Sequence, residues 1–166
     1  MAAIGVTDMD ILFNTEKGRF SYRAAGLAVQ EGRLLVQRMR GDQGLAIPGG
    51  HVAFGETAAE SLRREFREEL ELNVEIGGLA AVGEVFFDWK GPCQQICLYY
   101  RVDLPAAPWE GVRHGFDGNG QVREEMEFLW APVETIQRDG VVFYPPQLAG
   151  HLTEKGILHF VSNQLN

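Results

Sequence analysis

Ala58, Leu62, Phe66 and Leu70 recur every four residues. That spacing places them on one stripe and predicts an amphipathic helix over residues 57–70. Thr57 with Glu60 has the form of a capping box at its start. Elsewhere the pattern favours strands. Residues 20–30 are rich in β-formers and small apolar side chains, Glu31-Gly32-Arg33 reads as a turn, and residues 34–39 read as the partner strand. Residues 45–48 form a short strand stopped by Pro48-Gly49-Gly50, read as a tight turn with outward carbonyls. Further strands are expected at 74–76, 79–87, 95–102, 127–131 and 157–162. Short helices are expected at 133–137 and 146–152, and a loop at 104–120. Strands before and after a central helix predict an α/β fold, a mixed sheet with helices on both faces.

The polar side of the 57–70 helix changes the picture. Glu65, Glu68 and Glu69 stand at i, i+3 and i+4 and share a face beside the apolar stripe. A solvated helix laced with ion pairs would give each acid a base one turn away. Glu60 with Arg64, Arg64 with Glu68, and Arg67 with Glu71 fit that reading. Glu65 and Glu69 have no base at that spacing, and like charges so placed repel by a few tenths of a kcal/mol, roughly. A hard divalent cation would offset this, since Mg²⁺ prefers carboxylate oxygens.

The order Gly50, Glu56, then Arg64-Glu65-Phe66-Arg67-Glu68-Glu69-Leu70-Glu71-Leu72 resembles the Nudix box. That box is a glycine, an acid, and Arg-Glu-apolar-any-Glu-Glu-any-Gly-apolar at this spacing. The resemblance spans residues 50–72 and departs at Glu71, which stands where the box has its late glycine. A left-handed helix end suits glycine, so the helix is expected to continue past Glu71 and close near Asn73.

The resemblance implies a Nudix-type α/β/α sandwich, a single domain over residues 1–166, and hydrolysis of a nucleoside diphosphate linked to another moiety. It implies Mg²⁺ or Mn²⁺ held by Glu65, Glu68 and Glu69, with a carbonyl of Gly49 or Gly50 as a further ligand. Glu68, Glu69, Glu56 and Arg64 carry the catalytic roles, with Arg64 orienting carboxylates and Glu56 acting through Arg64 or water. The base is a box glutamate or one of Glu124, Glu125 and Glu127, which lie just before the Phe128-Leu-Trp130 strand. A catalytically silent nucleotide sensor on the same fold is the alternative. An isomerase would need another metal site or a catalytic cysteine, and neither Cys93 nor Cys97 has a supporting motif.

Substrate partners are read from residue type. Arg38, with Arg23 and Arg40, suits phosphate; His51 follows the glycines; Phe87 and Trp89, with Phe86, could stack on a base. His114, His151 and His159 form no pattern. Residues 73–90 hold no Pro and no Tyr, the markers often carried downstream of the box by family members acting on ADP-ribose or dinucleoside polyphosphates.

Composition narrows the partners. The 166 residues fit one core, and 45% are apolar. A net charge of −8 argues against generic nucleic-acid binding, but not against a small nucleotide-type substrate. Met1-Ala-Ala-Ile-Gly-Val-Thr-Asp has no signal-peptide pattern, and no apolar run suits a membrane. Two cysteines point to a reducing, cytoplasmic setting. The oligomeric state is left open, with a homodimer as one outcome.

Overall fold

The computed structural model describes residues 9–165, so the expectation placed on Met1 to Asp8 lies outside the described residues. The first sheet runs β1 (Leu12–Thr15), β2 (Gly18–Leu27), β8 (Pro92–Asp103), β7 (Glu75–Asp88), β12 (Leu158–Asn163), with β6 (Gly49–His51) on β2. The second runs β11 (Phe143–Tyr144), β5 (Leu45–Ala46), β4 (Arg33–Met39), β10 (Val122–Pro132), β9 (Arg113–Phe116), with β3 (Val29–Gln30) on β4. Both are mixed: β2 with β8, β7 with β12 and β5 with β11 are parallel pairs.

Helix α1 (Ala58–Leu70) covers one face, and α2 (Val133–Ile136) with a 3₁₀ helix (Pro146–His151) covers the other. Strand alternation explains the two cores. On β4, Leu35 packs with Leu62 and Phe66 of α1, while Leu34 and Val36 pack with Ile136, Leu148 and Leu152. A strand buried on both faces reads as a continuous apolar run, which is what β4 shows.

The single sheet expected from sequence is two sheets. The expected pairing of 20–30 with 34–39 holds only for β3 and β4, across a turn with positive φ at Glu31 and Gly32. β2 belongs to the other sheet, because the chain crosses between sheets at Ala28. The 79–87 and 74–76 segments are one strand, β7, irregular around Gly77 and Gly78. The 104–120 segment is not all loop; it contains β9, paired with β10. β1 had no counterpart in the sequence reading.

Pro48-Gly49-Gly50 is not a turn. Gly49 and Gly50 are extended and pair with Ala25 and Ala24 of β2. Glycine is needed there for close approach: a Cβ on Gly49 would lie 2.7 Å from the Ala25 Cα.

Candidate functional site

The capping box forms as expected. The Glu60 N–H donates to Thr57 Oγ1 at 3.2 Å, and the Thr57 N–H donates to Glu60 Oε2 at 2.8 Å. Glu60 is thereby taken and does not pair with Arg64. Ala58, Leu62 and Phe66 are buried, which fixes the rotation of α1 and turns Glu65 and Glu69 toward β6 and β2.

α1 ends at Leu70, and Glu71 itself adopts the left-handed conformation, φ 55° and ψ 32°. The expected continuation to Asn73 is therefore wrong. The Glu71 N–H keeps its helical bond to the Arg67 carbonyl at 3.1 Å, and reversing the chain at Glu71 lets the Leu72 N–H bond the Phe66 carbonyl at 3.2 Å. These bonds outweigh the steric cost of a left-handed glutamate. Arg67 and Glu71 form no ion pair among the described residues.

Arg64 is the hub of the acidic face. Its Nε donates to Glu56 at 3.0 Å, and its Nη1 to Glu65 at 2.9 Å and Glu68 at 3.2 Å. Its Nη2 donates to the Ser61 hydroxyl at 3.0 Å. Sequence spacing alone had left Glu65 without a base; the adjacent Arg64 supplies one, because a long guanidinium fork reaches past the usual one-turn rule. Glu56 bonds the buried Ser61 hydroxyl at 2.7 Å. The bond from Arg64 holds the Glu56 carboxyl below the ordinary range, with Ser61 adding to this against the effect of burial. Ser61 was missed from sequence; its only signal was a polar residue one turn before Glu65.

Glu65 is well covered, with 15% of its side chain exposed, against 41% for Glu68. A Cβ on Gly50 would lie 2.6 Å from both Cγ and Oε1 of Glu65. The carboxylate is thus seated on the Gly50 backbone. Burial pushes the Glu65 carboxyl up, Arg64 opposes this, and Glu68 and Asp10 add to it. Glu69 has no ion-pair partner among the described residues. Burial, then the charge of Glu65, pushes it up to about 7, against the pull of Arg23 and Arg123.

Among the described residues, no three His, Cys, Asp or Glu side chains are gathered into a ready metal cluster. The donor set nevertheless fits a hard cation. It is all oxygen, Glu65 is held against a backbone that only glycine leaves open, and Glu69 is a half-buried acid with a like-charged neighbour. The Gly49 carbonyl is not free, since Arg23 Nη2 donates to it at 3.3 Å.

Arg23 also lines a cleft of about 470 Å³, with Phe87, Trp89, Gln95, Tyr99 and Tyr144 among its other walls. Phe87 and Trp89 are therefore brought to one cavity next to the acidic face; Tyr99 and Tyr144 were not foreseen. His51 faces Arg23 across the β2–β6 ladder, with Nδ1 3.8 Å from Asp10. Burial and then Arg23 push His51 below its ordinary range, with Asp10 opposing.

Other expected residues go elsewhere. Arg38 is bonded to Glu127 at 2.7 Å and does not line the cleft. Glu124, Glu125 and Glu127 do not precede a strand; they lie within β10. Glu125 is bonded to Arg123 at 2.8 Å, and Glu124 lies 3.9 Å from Arg40. The arginines hold Glu125 and Glu127 below the ordinary carboxylate range. His159 pairs with Glu84 at 2.8 Å, and His151 contacts the Gly156 carbonyl at 3.2 Å.

A family model for the NUDIX domain matches residues 21–149. The chain belongs to the NUDIX family. Solved structures of the same fold include a mutator MutT protein from Bacillus halodurans (14% identity, 87% of this chain and 91% of that one, TM-score 0.56). A MutT protein from Methanosarcina mazei Go1 is similar at 20% identity over 84% and 94% of the two chains, TM-score 0.56. A protein named as an ADP-ribose pyrophosphatase from Streptococcus suis 89-1591 is similar at 14% identity over 84% and 98%, TM-score 0.53. At these identities the NUDIX fold is what is shared. No described helix is long and apolar enough to cross a membrane.

Proposed function

We propose that this NUDIX protein is a pyrophosphohydrolase of one domain that cleaves a diphosphate linkage in a small nucleotide-type substrate, with Mg²⁺ or Mn²⁺ as cofactor. The observation that carries the proposal is the Glu65 carboxylate seated on Gly50 beside the Arg23-lined cleft. Glu65, Glu68 and Glu69 would hold the cation, with Gly50 contributing backbone. When bound, it would polarise the phosphoryl oxygens and acidify the attacking water.

The chain's own residues do the rest. Arg64 orients Glu65 and Glu68 and is itself fixed by Glu56 and Ser61. Arg23 is placed to meet a phosphoryl oxygen, and Phe87 and Trp89 to meet a base. His51 is a further contact on the same rim. The base is a box glutamate, and Glu69, beside Glu65 and with no ion-pair partner among the described residues, is our candidate. Glu125 and Glu127 are weaker bases, because arginines stabilise their charged forms. Arg38 is dropped as a phosphate contact because Glu127 occupies it.

Both thiols are free and buried, which suits a reducing cytoplasm. An isomerase using a reactive thiol is disfavoured, since burial pushes Cys97 up to about 11. The silent-sensor reading is disfavoured by the complete acid set.

The test is phosphate release from a panel of nucleoside triphosphates, nucleotide sugars, ADP-ribose and dinucleotides with Mg²⁺ or Mn²⁺. Turnover should fall at least about a hundredfold in Glu69→Gln and in Glu68→Gln, the scale of a lost acid–base group. Undiminished turnover in both variants would remove the assignment. Tight nucleotide binding with no turnover on any member would favour the sensor.

A further inference from the structure

The arginines at 33, 38, 40, 64 and 123 are each paired with acids. Lys17, Arg19 and Lys90 are not. Among the described residues none of the three has a carboxylate within 4.0 Å. They are three of the ten Lys and Arg with no carboxylate within 4.0 Å among the described residues, and what sets them apart is that they share one place.

They meet at Trp89. The Arg19 guanidinium carbon and the Lys90 Nζ each lie 4.9 Å from the centre of the Trp89 ring. Arg19 Nε donates to Asn14 Oδ1 at 3.2 Å, a neutral partner that leaves the other guanidinium N–H groups available. With Lys17, these residues line a groove of about 350 Å³, in which Glu16 is the one acid. Held on an indole and a short turn, the cations repel one another, and an anion would offset that repulsion.

The groove shares one wall with the cleft. Trp89, 53% exposed, walls both. Arg19 and Arg23 lie on one face of β2, opposite Cys93 and Cys97 of β8. Four residues of strand separate them by roughly 13 Å, with Ser21 and its partner Gln95 between them on that face. Arg23 thus lines the cleft and Arg19 the groove, with Trp89 as their shared wall, and of these two arginines Arg23 is the one that acts on Glu69 of the acidic face.

We propose that Lys17, Arg19 and Lys90, gathered around Trp89, form a second anion subsite that binds a phosphoryl group at the far end of the substrate. The preferred substrate is then a nucleotide phosphorylated on its sugar in addition to the diphosphate that is cleaved. This rests on the nucleotide-hydrolase reading, but its test needs no turnover.

The probes are the four common nucleoside 3′,5′-bisphosphates against the matching 5′-monophosphates. Neither contains an anhydride, so equilibrium binding is read alone, at low salt, by calorimetry. For at least one base the bisphosphate should bind at least about tenfold tighter, the effect of one charge-assisted contact. In Arg19→Gln/Lys90→Gln that preference should fall below about threefold, with monophosphate affinity and thermal stability unchanged. Tryptophan emission should also be protected from iodide more strongly by the bisphosphate than by the monophosphate, because Trp89 is the exposed indole and its cationic neighbours hold the extra phosphoryl group.

Equal affinities for every base, or a preference that survives the double variant, would overturn the proposal. So would absence of binding by either probe. Tighter binding of a 5′-phosphorylated dinucleotide than of any bisphosphate would reassign the groove to a phosphodiester and overturn it as well. Phosphate release with Glu69→Gln reports separately on the hydrolase reading.

Discussion

The Glu65 carboxylate fills the space that a side chain on Gly50 would need, with Cγ and Oε1 each 2.6 Å from the ideal Cβ position. Gly50 of β6 and Glu65 of α1 are thus one structural unit. Gly50→Ala should displace Glu65 toward solvent, since the obstructed group is the end of a flexible chain. We expect the fold to survive, turnover to fall at least about tenfold, and the Mg²⁺ requirement to rise. Gly49→Ala meets the β2 backbone instead and should lower stability by about 1–3 kcal/mol. Thermal unfolding and Mg²⁺ titration of the two variants separate the cases; equal behaviour would refute the distinction.

Glu69 makes the metal-free protein sensitive to pH. Its folded pKa, about 7, lies above its ordinary value of 4.5. The native state therefore binds the extra proton, and stability falls as pH rises from about 4.5 through about 7. A shift of this size corresponds to at most about 3 kcal/mol. Glu69→Gln should flatten this slope and raise the melting temperature of the metal-free protein at pH 8, with little change at pH 4. Parallel melting curves for wild type and variant across that range would contradict the burial argument.

Arg64 should not tolerate lysine. Four acceptors, on Glu56, Glu65, Glu68 and Ser61, are met by one planar fork, and an ammonium cannot reproduce that geometry. Arg64→Lys should cost about 1–3 kcal/mol of stability and reduce turnover. The loss should shrink in acid. Glu56 has a folded pKa below its ordinary value, so its contribution is present above that ordinary value and disappears as pH falls through the folded one. Urea unfolding of both proteins at pH 7 and pH 3 would show the effect, and an unchanged difference would speak against it.

Glu71→Gly should stabilise the protein. A non-glycine residue at φ 55° carries roughly 1–2 kcal/mol of steric cost, and the greater freedom of glycine in the unfolded chain returns part of this. A net gain of up to about 1 kcal/mol, a few degrees of melting temperature, is expected with activity unchanged. Glu71→Val should do the reverse. A loss of stability in the glycine variant would mean that the Glu71 side chain has a role of its own.

How much was legible beforehand depended on range. The α1 capping box, its stripe from Ala58 to Phe66 and the spacing of Glu65, Glu68 and Glu69 are local, because helical periodicity ties side-chain direction to residue number. The Nudix resemblance over 50–72 is of the same kind, and the matched NUDIX family agrees with it. Strand membership was less legible. β2 and β4 both read as apolar strands, but nothing local says that β2 joins β8, 74 residues away, and not its neighbour.

The site divides in the same way. Sequence by itself determined which acids share a helix face. Tertiary structure alone decided that Glu65 rests on Gly50, that Arg64 serves it from the adjacent position, and that Arg38 belongs to Glu127. It also decided that Gly49 and Gly50 are strand and not turn. These outcomes depend on which backbone approaches which, and that is set only when two sheets and a helix close on shared cores.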